Sequence, residues 1–262
     1  MKPLFRILTR FLLLLPVVTA AQTPEEKGLA IAREADRRDA GFSDSSAHMR
    51  MILRNRHGQE SSREMRFRTL EVEGDGNKSL IIFDTPRDVK GTAFLNFTHR
   101  VGDDDQWLYL PALKRVKRIS SQNKSGSFVG SEFAYEDIAS QEIEKYAHKW
   151  IRDEVYNGQP CFVVDFYPVD KKNSGYTRQV TWIDKEEYRI LKVDYYDRKD
   201  ALLKTLTNKD YRPYLGKYWR AHHMFMVNHQ SGKSTQLVFE RYSFQTGLTE
   251  RDFTRSSLAR VW

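Results

Sequence analysis

A serine and a cysteine are the residues of this chain most easily taken for nucleophiles. The stretch Gly126-Ser127-Phe128-Val129-Gly130 resembles the sharp turn that presents a catalytic serine, but its serine stands second rather than third, so the motif fails. Cys161 precedes the apolar run Phe162-Val163-Val164, where a buried and inert thiol is the ordinary interpretation. The sequence therefore predicts no catalytic residue and no enzymatic activity.

Two groups of polar residues could in principle bind a metal ion. Asp103-Asp104-Asp105 precedes a predicted strand, but no glycine-containing calcium loop follows it. His222 and His223 are adjacent, and adjacent residues of a strand point to opposite faces, so they cannot readily share one ion with His229. Structural roles are the preferred interpretation, and the sequence predicts neither a metal site nor a cofactor.

The N-terminus has the three regions of a cleavable signal peptide. Cations are present among the first ten residues, residues 11–18 are largely apolar, and residues 19–21 are the small side chains that a signal peptidase reads. The apolar run is about half of the roughly 20 residues that a membrane-spanning helix needs. We therefore expect residues 1–21 to be a signal peptide and the mature protein to be periplasmic.

Residues 22–262 would then form the mature protein, and we expect them to form a single domain, because no repeat or linker divides them. Without the three cations of the signal region, the chain has 40 lysines and arginines against 35 acids, a net charge of +5. This small and dispersed excess does not fit the clustered cations of a nucleic-acid-binding surface. A single cysteine permits no internal disulfide, so packing must hold the fold.

The apolar pattern predicts one helix followed by many strands. Thr23 suits an N-cap and Gly41 a helix end, which together predict a helix over residues 24–40. A helix-like pattern returns at 249–259. Between the two helices, alternation with a period of two predicts strands. These strands cover 46–56, 62–73, 80–83, 92–99, 105–110, 114–119, 148–156, 160–168, 176–184, 188–196, 201–208, 218–229 and 233–244.

Consecutive strands joined by tight turns favour a mainly β fold with one antiparallel sheet and few helices. A sheet of more than ten strands should curl, because a flat one would expose long edges. Residues 132–147 break the pattern and predict short helical turns or an ordered loop. The 33 aromatic residues could fill a sandwich core, or they could surround an apolar cavity inside a curled sheet.

Two motifs carry a resemblance to a known family. The first is Trp107-Leu108-Tyr109-Leu110-Pro111, and the second runs from Phe128 to Ile138 as Phe-x-Gly-Ser-x-Phe-x-Tyr-Glu-Asp-Ile. Together they resemble the outer-membrane lipoprotein-sorting protein family, the broader group similar to the periplasmic lipoprotein carrier LolA. The first helix and the later strands fit the same pattern, so the resemblance covers nearly the whole mature chain.

The resemblance implies an incomplete β-barrel of about eleven antiparallel strands, with short helices forming a lid over an apolar cavity for acyl chains. It implies a periplasmic carrier that binds acyl chains of lipoproteins or phospholipids and shuttles them toward the outer membrane. Family members of this kind are often linked with inner-membrane exporters of the resistance-nodulation-division type. The expected partners are therefore such an exporter and an outer-membrane acceptor.

Two other functions remain open at this point. The protein could be a periplasmic module that senses lipid or lipoprotein and signals to a membrane partner, or an accessory lipid-binding subunit of the exporter. Neither function needs a nucleophile or a metal ion, which agrees with the absence of a catalytic motif.

We expect the acyl chains to contact apolar residues of the early strands and of the second motif. In strand 92–98 the set that contains Ala93, Leu95 and Phe97 is more apolar than its polar neighbours, so it is expected to face the interior. Ordinary core packing is the alternative for each residue. The predicted cavity residues are Leu95, Phe97, Leu108, Leu110, Phe128 and Phe133.

Residues 120–147 are predicted to form a mobile gate over the cavity. Their first part is rich in serine, glycine, asparagine and lysine, and it can bury little apolar surface. Tyr135 is a candidate gate residue, and Arg87 is a second candidate because of its position in an early strand-to-loop segment. The gate's three acids are expected to pair with nearby cations; the expected pairs join Glu132, Glu136 and Asp137 to Lys114, Arg115, Lys117 and Arg118. An ordinary surface loop is the alternative.

Overall fold

The computed structural model describes residues 21–259, so the predicted signal region lies almost wholly outside the described residues. Over that range the fold consists of thirteen strands and two α-helices. Within the described range, no helix has the length and apolar character needed to cross a membrane. The helices are α1 (Pro24–Asp39) and α2 (Tyr135–Ile138). The strands are β1 (Asp44–Arg54), β2 (Glu60–Leu70), β3 (Lys78–Thr85), β4 (Ala93–Phe97), β5 (Asp105–Leu110), β6 (Arg115–Ile119), β7 (Tyr146–Tyr156), β8 (Gln159–Pro168), β9 (Tyr176–Asp184), β10 (Ile190–Asp197), β11 (Leu202–Tyr214), β12 (Tyr218–Asn228) and β13 (Ser234–Phe244).

All thirteen strands belong to one antiparallel sheet. Every strand pairs with its neighbour in sequence except at two places: β1 pairs with β13, and β6 and β7 are the two edges. The predicted curled antiparallel sheet is confirmed. Sequence alternation located all thirteen strands, whereas the resemblance implied about eleven. β11 extends to Tyr214, beyond the predicted end at 208, because the β11–β12 hairpin continues its pairing to Tyr218.

One face of the sheet is the inside of the curl. A single cluster of buried side chains, here called the inner cluster, includes Phe94 of β4, Val193 of β10 and Leu206 of β11. Strands β4 and β10 are far apart in the strand order, so their side chains can meet only if the sheet curls around that face. The inner cluster is therefore the core around which the protein folds.

The opposite face of β3–β5 is covered by the C-terminal segment. Phe253 and Leu258 are buried there against Leu80, Leu95 and Trp107, in what we call the outer cluster. The helix predicted over 249–259 is wrong: that segment contains only a 3-10 turn, Glu250–Asp252. Packing of single apolar side chains onto the sheet fixes this segment without a helix.

The first helix lies directly on the edge strand β7. Thr23 caps it, because its hydroxyl accepts a hydrogen bond from the Glu26 backbone while Glu26 bonds back to Thr23. Gly28 permits the close approach: a Cβ atom there would lie 2.6 Å from the backbone nitrogen of Trp150. Ile31 and Ala32 pack against Phe166 and neighbours, so α1 covers one side of the curl.

Candidate functional site

The segment between β6 and β7 passes through the inside of the curl. Residues 126–138, here called the inner segment, carry Phe128 and Phe133, which are fully buried. The ring of Phe128 lies 5.2 Å from that of Phe94 and 5.7 Å from that of Tyr135. The inner segment therefore fills the part of the interior between β3, β4 and β5.

A buried ion pair anchors the inner segment to the far wall. Lys204 of β11 donates to the Asp137 carboxylate at 2.6 Å and to the Glu132 carbonyl at 2.9 Å. The two charged side chains are only 4% and 3% exposed. Tyr176 adds a hydroxyl that donates to the same carboxylate at 2.8 Å. Each charge is thus compensated, as a buried charge must be.

Glu136 is a second buried carboxyl in the inner segment. Its oxygens accept hydrogen bonds from the Ser174 hydroxyl at 2.9 Å and the Gly175 backbone at 2.8 Å. Burial, with a smaller contribution from the charge of Asp137, raises the pKa of Glu136 to about 7. This carboxyl therefore changes charge near neutral pH.

Polar side chains on the inner face of β4 and β5 hold the other side of the inner segment. The Gln106 side-chain amide donates to the Asn96 side chain at 3.0 Å and to the Tyr135 carbonyl at 3.2 Å. Asn96 in turn donates to the Thr98 hydroxyl, which accepts from the Ser140 backbone. Buried polar groups are tolerated here because they bond to one another and to the segment.

The ion pairs predicted for the three gate acids are wrong. The predicted cations of the β5–β6 region do not pair with them; Asp137 pairs with Lys204, Glu132 accepts from Asn228 at 2.7 Å, and Glu136 bonds to the turn before β9. The reason is that residues 126–138 enter the curl rather than lie over it, and so they meet the opposite wall. Opening of the segment stays a prediction.

The part of the interior beneath α1 is hollow. A cavity of about 790 Å³ lies there, within the range of volumes typical of ligand sites. It is bounded by α1, by residues 140–143 and by strands from both arms of the sheet. Its apolar and aromatic lining includes Ala32, Ala35, Phe42, Phe67, Ile143, Phe166, Ile183, Tyr188, Ile190, Tyr211, Trp219, Ala221, Met224 and Tyr242.

Ionic contacts hold the C-terminal half of α1 across this cavity. Arg38 donates to the Glu186 carbonyl at 2.6 Å, and its guanidinium lies 4.4 Å from the centre of the Tyr188 ring. Asp39 pairs with Arg220 of β12. Most of these groups are part-exposed, and contacts of this kind contribute only about 0–1 kcal/mol each. The helix is therefore attached by weak contacts on its side facing the hairpins.

Three titratable side chains of the cavity lining have pKa values shifted toward their neutral forms. Burial raises the pKa of Glu142 to about 6, and burial also raises the pKa of Asp36. Burial lowers the pKa of His148 to about 4, so this histidine is neutral at pH 7. Charged side chains from the end of α1 and from the facing hairpins also line the cavity, so its lining combines an apolar surface with ionic groups. These side chains are Arg37, Arg38, Asp39, Glu187, Arg189, Lys217 and Arg220.

The residues considered for catalysis and metal binding have structural contacts. Cys161 is buried, and burial raises the pKa of its thiol; the Ser127 hydroxyl donates to the Ser131 carbonyl at 2.6 Å. One His222 ring nitrogen lies 2.6 Å from the Phe239 carbonyl and the other lies 2.8 Å from the Tyr214 hydroxyl. Among residues 21–259, no three His, Cys, Asp or Glu side chains are grouped as a metal site would require.

Comparisons with known proteins place the chain in a family. A domain assigned to outer membrane lipoprotein sorting, from Vibrio parahaemolyticus, is 63% identical, with a TM-score of 0.89 over 90% of this chain and 100% of that one. The chain belongs to the outer-membrane lipoprotein-sorting protein family. A DUF1329 family protein from Desulfovibrio piger is 32% identical, with a TM-score of 0.85 over 90% of this chain and 99% of that one.

A more distant comparison shows the same fold. A LolA superfamily protein from Nitrosomonas europaea has the same fold, with a TM-score of 0.70 at 19% identity over 87% of this chain and 98% of that one. A family model described as "Uncharacterized protein" matches residues 75–260. No curated protein matches the chain. The resemblance based on the two sequence motifs is thus confirmed, and with it the LolA-like architecture.

The structure divides the six predicted cavity residues of this family member between two faces. Four belong to or pack against the inner cluster: Leu108, Leu110, Phe128 and Phe133. Leu95 and Phe97 lie on the opposite face with the outer cluster. None of the six is among the residues that line the large cavity. Contact of these residues with a ligand stays a prediction.

The predicted inward face of strand 92–98 is wrong. Phe94 points to the inner cluster, whereas Ala93 and Leu95 point to the C-terminal segment. Both faces of β4 are covered, so the apolar set does not mark the inside. The inward positions of Asn96 and Thr98 are polar because their side chains bond to each other, to Gln106 and to the backbone of Ser140.

The two candidate gate residues lie apart. Tyr135 packs on Phe94 and Phe128 as part of the inner segment. Arg87 is exposed in the turn between β3 and β4, away from the cavity lining. The residues that do line the cavity come from α1, from β1 and β2, and from strands in the second half of the chain, where Met224 and Tyr242 lie. The signals for them in the sequence are the apolar stripe of α1 and the alternation of the strands, and neither shows that these residues meet.

Proposed function

We propose that this family member is a periplasmic carrier that holds acyl chains in the cavity beneath α1. The observation that supports the proposal is a cavity of about 790 Å³ inside a curled sheet, lined by apolar and aromatic side chains together with charged groups at the end of α1 and on the facing hairpins. Each buried methylene contributes about 0.8 kcal/mol, so a chain of roughly a dozen carbons offers on the order of 10 kcal/mol before ordering costs. That free energy suffices to remove a lipid from a bilayer reversibly.

The lid in this proposal is α1. Weak contacts from Arg38 and Asp39 to the β9–β10 and β11–β12 hairpins would break at low cost, whereas the inner segment is anchored by a buried ion pair. Cargo would therefore enter by displacement of the C-terminal half of the helix, while its N-terminal half stays packed on β7. The inner segment would stay in place as part of the wall.

The cargo in this proposal is an acyl chain of a lipoprotein or a phospholipid, carried from an inner-membrane exporter toward an outer-membrane acceptor. Residues 22–262 would act as a single domain after removal of residues 1–21. Intact Met1 on membrane-embedded protein, found by N-terminal sequencing, would contradict export by a cleaved signal peptide.

Native mass spectrometry of the protein purified from a periplasmic fraction tests the proposal. We expect an adduct with the mass of a lipid or of an acylated peptide, and we expect vesicles to exchange that lipid with the purified protein. A lipid adduct without transfer between vesicles would favour a sensing module. The absence of any adduct, together with failure to load from vesicles, would contradict lipid binding.

A further inference from the structure

Five cations without an ion-pair partner among residues 21–259 lie at the ends of strands β3 to β6, next to one edge of the sheet. Arg87 and Lys90 are exposed in the β3–β4 turn, and Lys114, Arg115 and Lys117 are exposed in the β5–β6 hairpin. None of the five forms a salt bridge with any residue in the described range. We call this set the basic edge.

The sheet topology brings the two turns together. β4 pairs with β5, and Ala93 at the start of β4 lies opposite Tyr109 near the end of β5. The β3–β4 turn and the tip of the β5–β6 hairpin therefore lie side by side. The acid within these two turns is Asp88, so the basic edge carries a clear positive excess.

A large apolar side chain projects from the same place. Leu113, at the tip of the β5–β6 hairpin, is 68% exposed. It is followed by Lys114 in the left-handed conformation at φ 49°, which ends the 3-10 turn at the tip. An exposed leucine among cations is the combination found where proteins contact the headgroup region of a membrane.

Protection of a sheet edge explains only part of this surface. A short, cationic edge strand prevents pairing with other chains, which accounts for Arg115 and Lys117 of β6. It does not account for Arg87 and Lys90, which lie in a turn between two interior strands, or for Leu113.

We propose that the basic edge and Leu113 dock the protein on the surface of an anionic phospholipid bilayer. Lysine and arginine attract the negative leaflet, and each cation near the surface strengthens binding roughly fivefold. Leu113 adds an apolar contact. None of these residues lines the cavity, so docking and lipid loading are separate properties and can fail separately.

Co-flotation of the purified protein with vesicles tests this inference. We expect binding to vesicles of phosphatidylcholine with about one-third phosphatidylglycerol, no binding to phosphatidylcholine alone, and release in about 0.5 M salt through screening. Lys114→Glu with Arg115→Glu should weaken binding at least ~25-fold, and Leu113→Asn roughly tenfold. Lys209→Glu with Arg241→Glu makes the same charge change at exposed positions of β11 and β13, away from the strand ends that carry the basic edge, and should bind like the wild type.

Two results would overturn the inference. One is the absence of wild-type binding to anionic vesicles. In that case the cations would serve to protect the sheet edge or to bind an acidic protein. The other is equal weakening by the control pair, which would show a general effect of net charge. Lipid loading of the Lys114→Glu, Arg115→Glu variant, measured by native mass spectrometry, should equal that of the wild type. Equal loading would show that the variant is folded.

Discussion

The two halves of the curled interior are built differently. One half is filled by the inner segment, whose buried Phe128 and Phe133 pack against the early strands. The other half, beneath α1, is hollow and lined by apolar and charged residues from α1 and from strands of both arms of the sheet. The same sheet therefore supports a packed core and a cavity side by side.

The contacts that close each half differ in strength. The filled half is held by the Lys204–Asp137 ion pair, which is almost completely buried. The hollow half is closed by part-exposed contacts of Arg38 and Asp39. Since partly exposed ion pairs contribute little and broken buried pairs cost much, we expect only the hollow half to open readily.

The largest expected effect comes from breaking the buried pair. Lys204→Met leaves the Asp137 carboxylate buried without its cation and should lower the free energy of unfolding by about 3–5 kcal/mol in chemical denaturation. Lys209→Met, on an exposed part of the same strand, is the control and should change it by less than about 0.5 kcal/mol. The double variant Lys204→Met, Asp137→Leu should recover part of the lost free energy of unfolding, because it no longer buries an unpaired charge. A loss under 1 kcal/mol would contradict the anchoring of the inner segment.

A smaller effect should appear as a pH dependence. The pKa of Glu136 is raised from 4.5 to about 7, so the folded state binds the proton more tightly. The stability from this group is present below pH 4.5 and is lost as the pH rises to about 7, by about 2–3 kcal/mol.

Glu136→Gln isolates that dependence. The variant should be more stable than the wild type above pH 7, and the difference between the two should vanish near pH 4.5. Comparing the two proteins removes the opposite dependence from His148, whose pKa is lowered to about 4. Glu240→Gln, on an exposed part of β13, is the matched control. Stability is measured by thermal unfolding from pH 4 to 8. If the stability of the wild type and of Glu136→Gln changed with pH in the same way, Glu136 would not be the group responsible for the pH dependence.

A substitution at Gly28 tests whether α1 must pack closely on β7 to retain lipid. Alanine in place of glycine inside a helix normally stabilises by about 1 kcal/mol. Here its Cβ would lie 2.6 Å from the Trp150 backbone, so Gly28→Ala should instead destabilise by about 1–2 kcal/mol and speed lipid release. The control Ala30→Gly, on the exposed side of α1, should cost about 1 kcal/mol without changing release. Stabilisation by Gly28→Ala would show that the helix is not tightly seated on β7.

Local pattern predicted the elements of the fold well. Alternation located every strand, and Thr23 located the start of α1. The pattern failed at β4, where Leu95 and Phe94 are both buried because both faces are covered. It also gave a false helix at the C-terminus, where Phe253 and Leu258 pack singly on the sheet.

The site was less predictable than the fold because it depends on distant contacts. Lys204 and Asp137 are 67 residues apart, and each alone resembles a surface charge. The cavity joins Ala32 of α1 to Met224 and Tyr242 near the other end of the chain. A cavity is the space left after packing, and no local pattern of residues specifies it.

Filling the hollow half tests the central claim most directly. Ala221 lines the cavity on β12, and Ala221→Trp should place an indole ring in the space beneath α1, where it obstructs an acyl chain. Ala201→Trp adds the same side chain at an exposed position in the β10–β11 turn. With vesicle-loaded protein in native mass spectrometry, we expect lipid adducts on the wild type and on Ala201→Trp but at least tenfold fewer on Ala221→Trp. Undiminished loading of a folded Ala221→Trp variant would contradict the claim that lipid binds beneath α1.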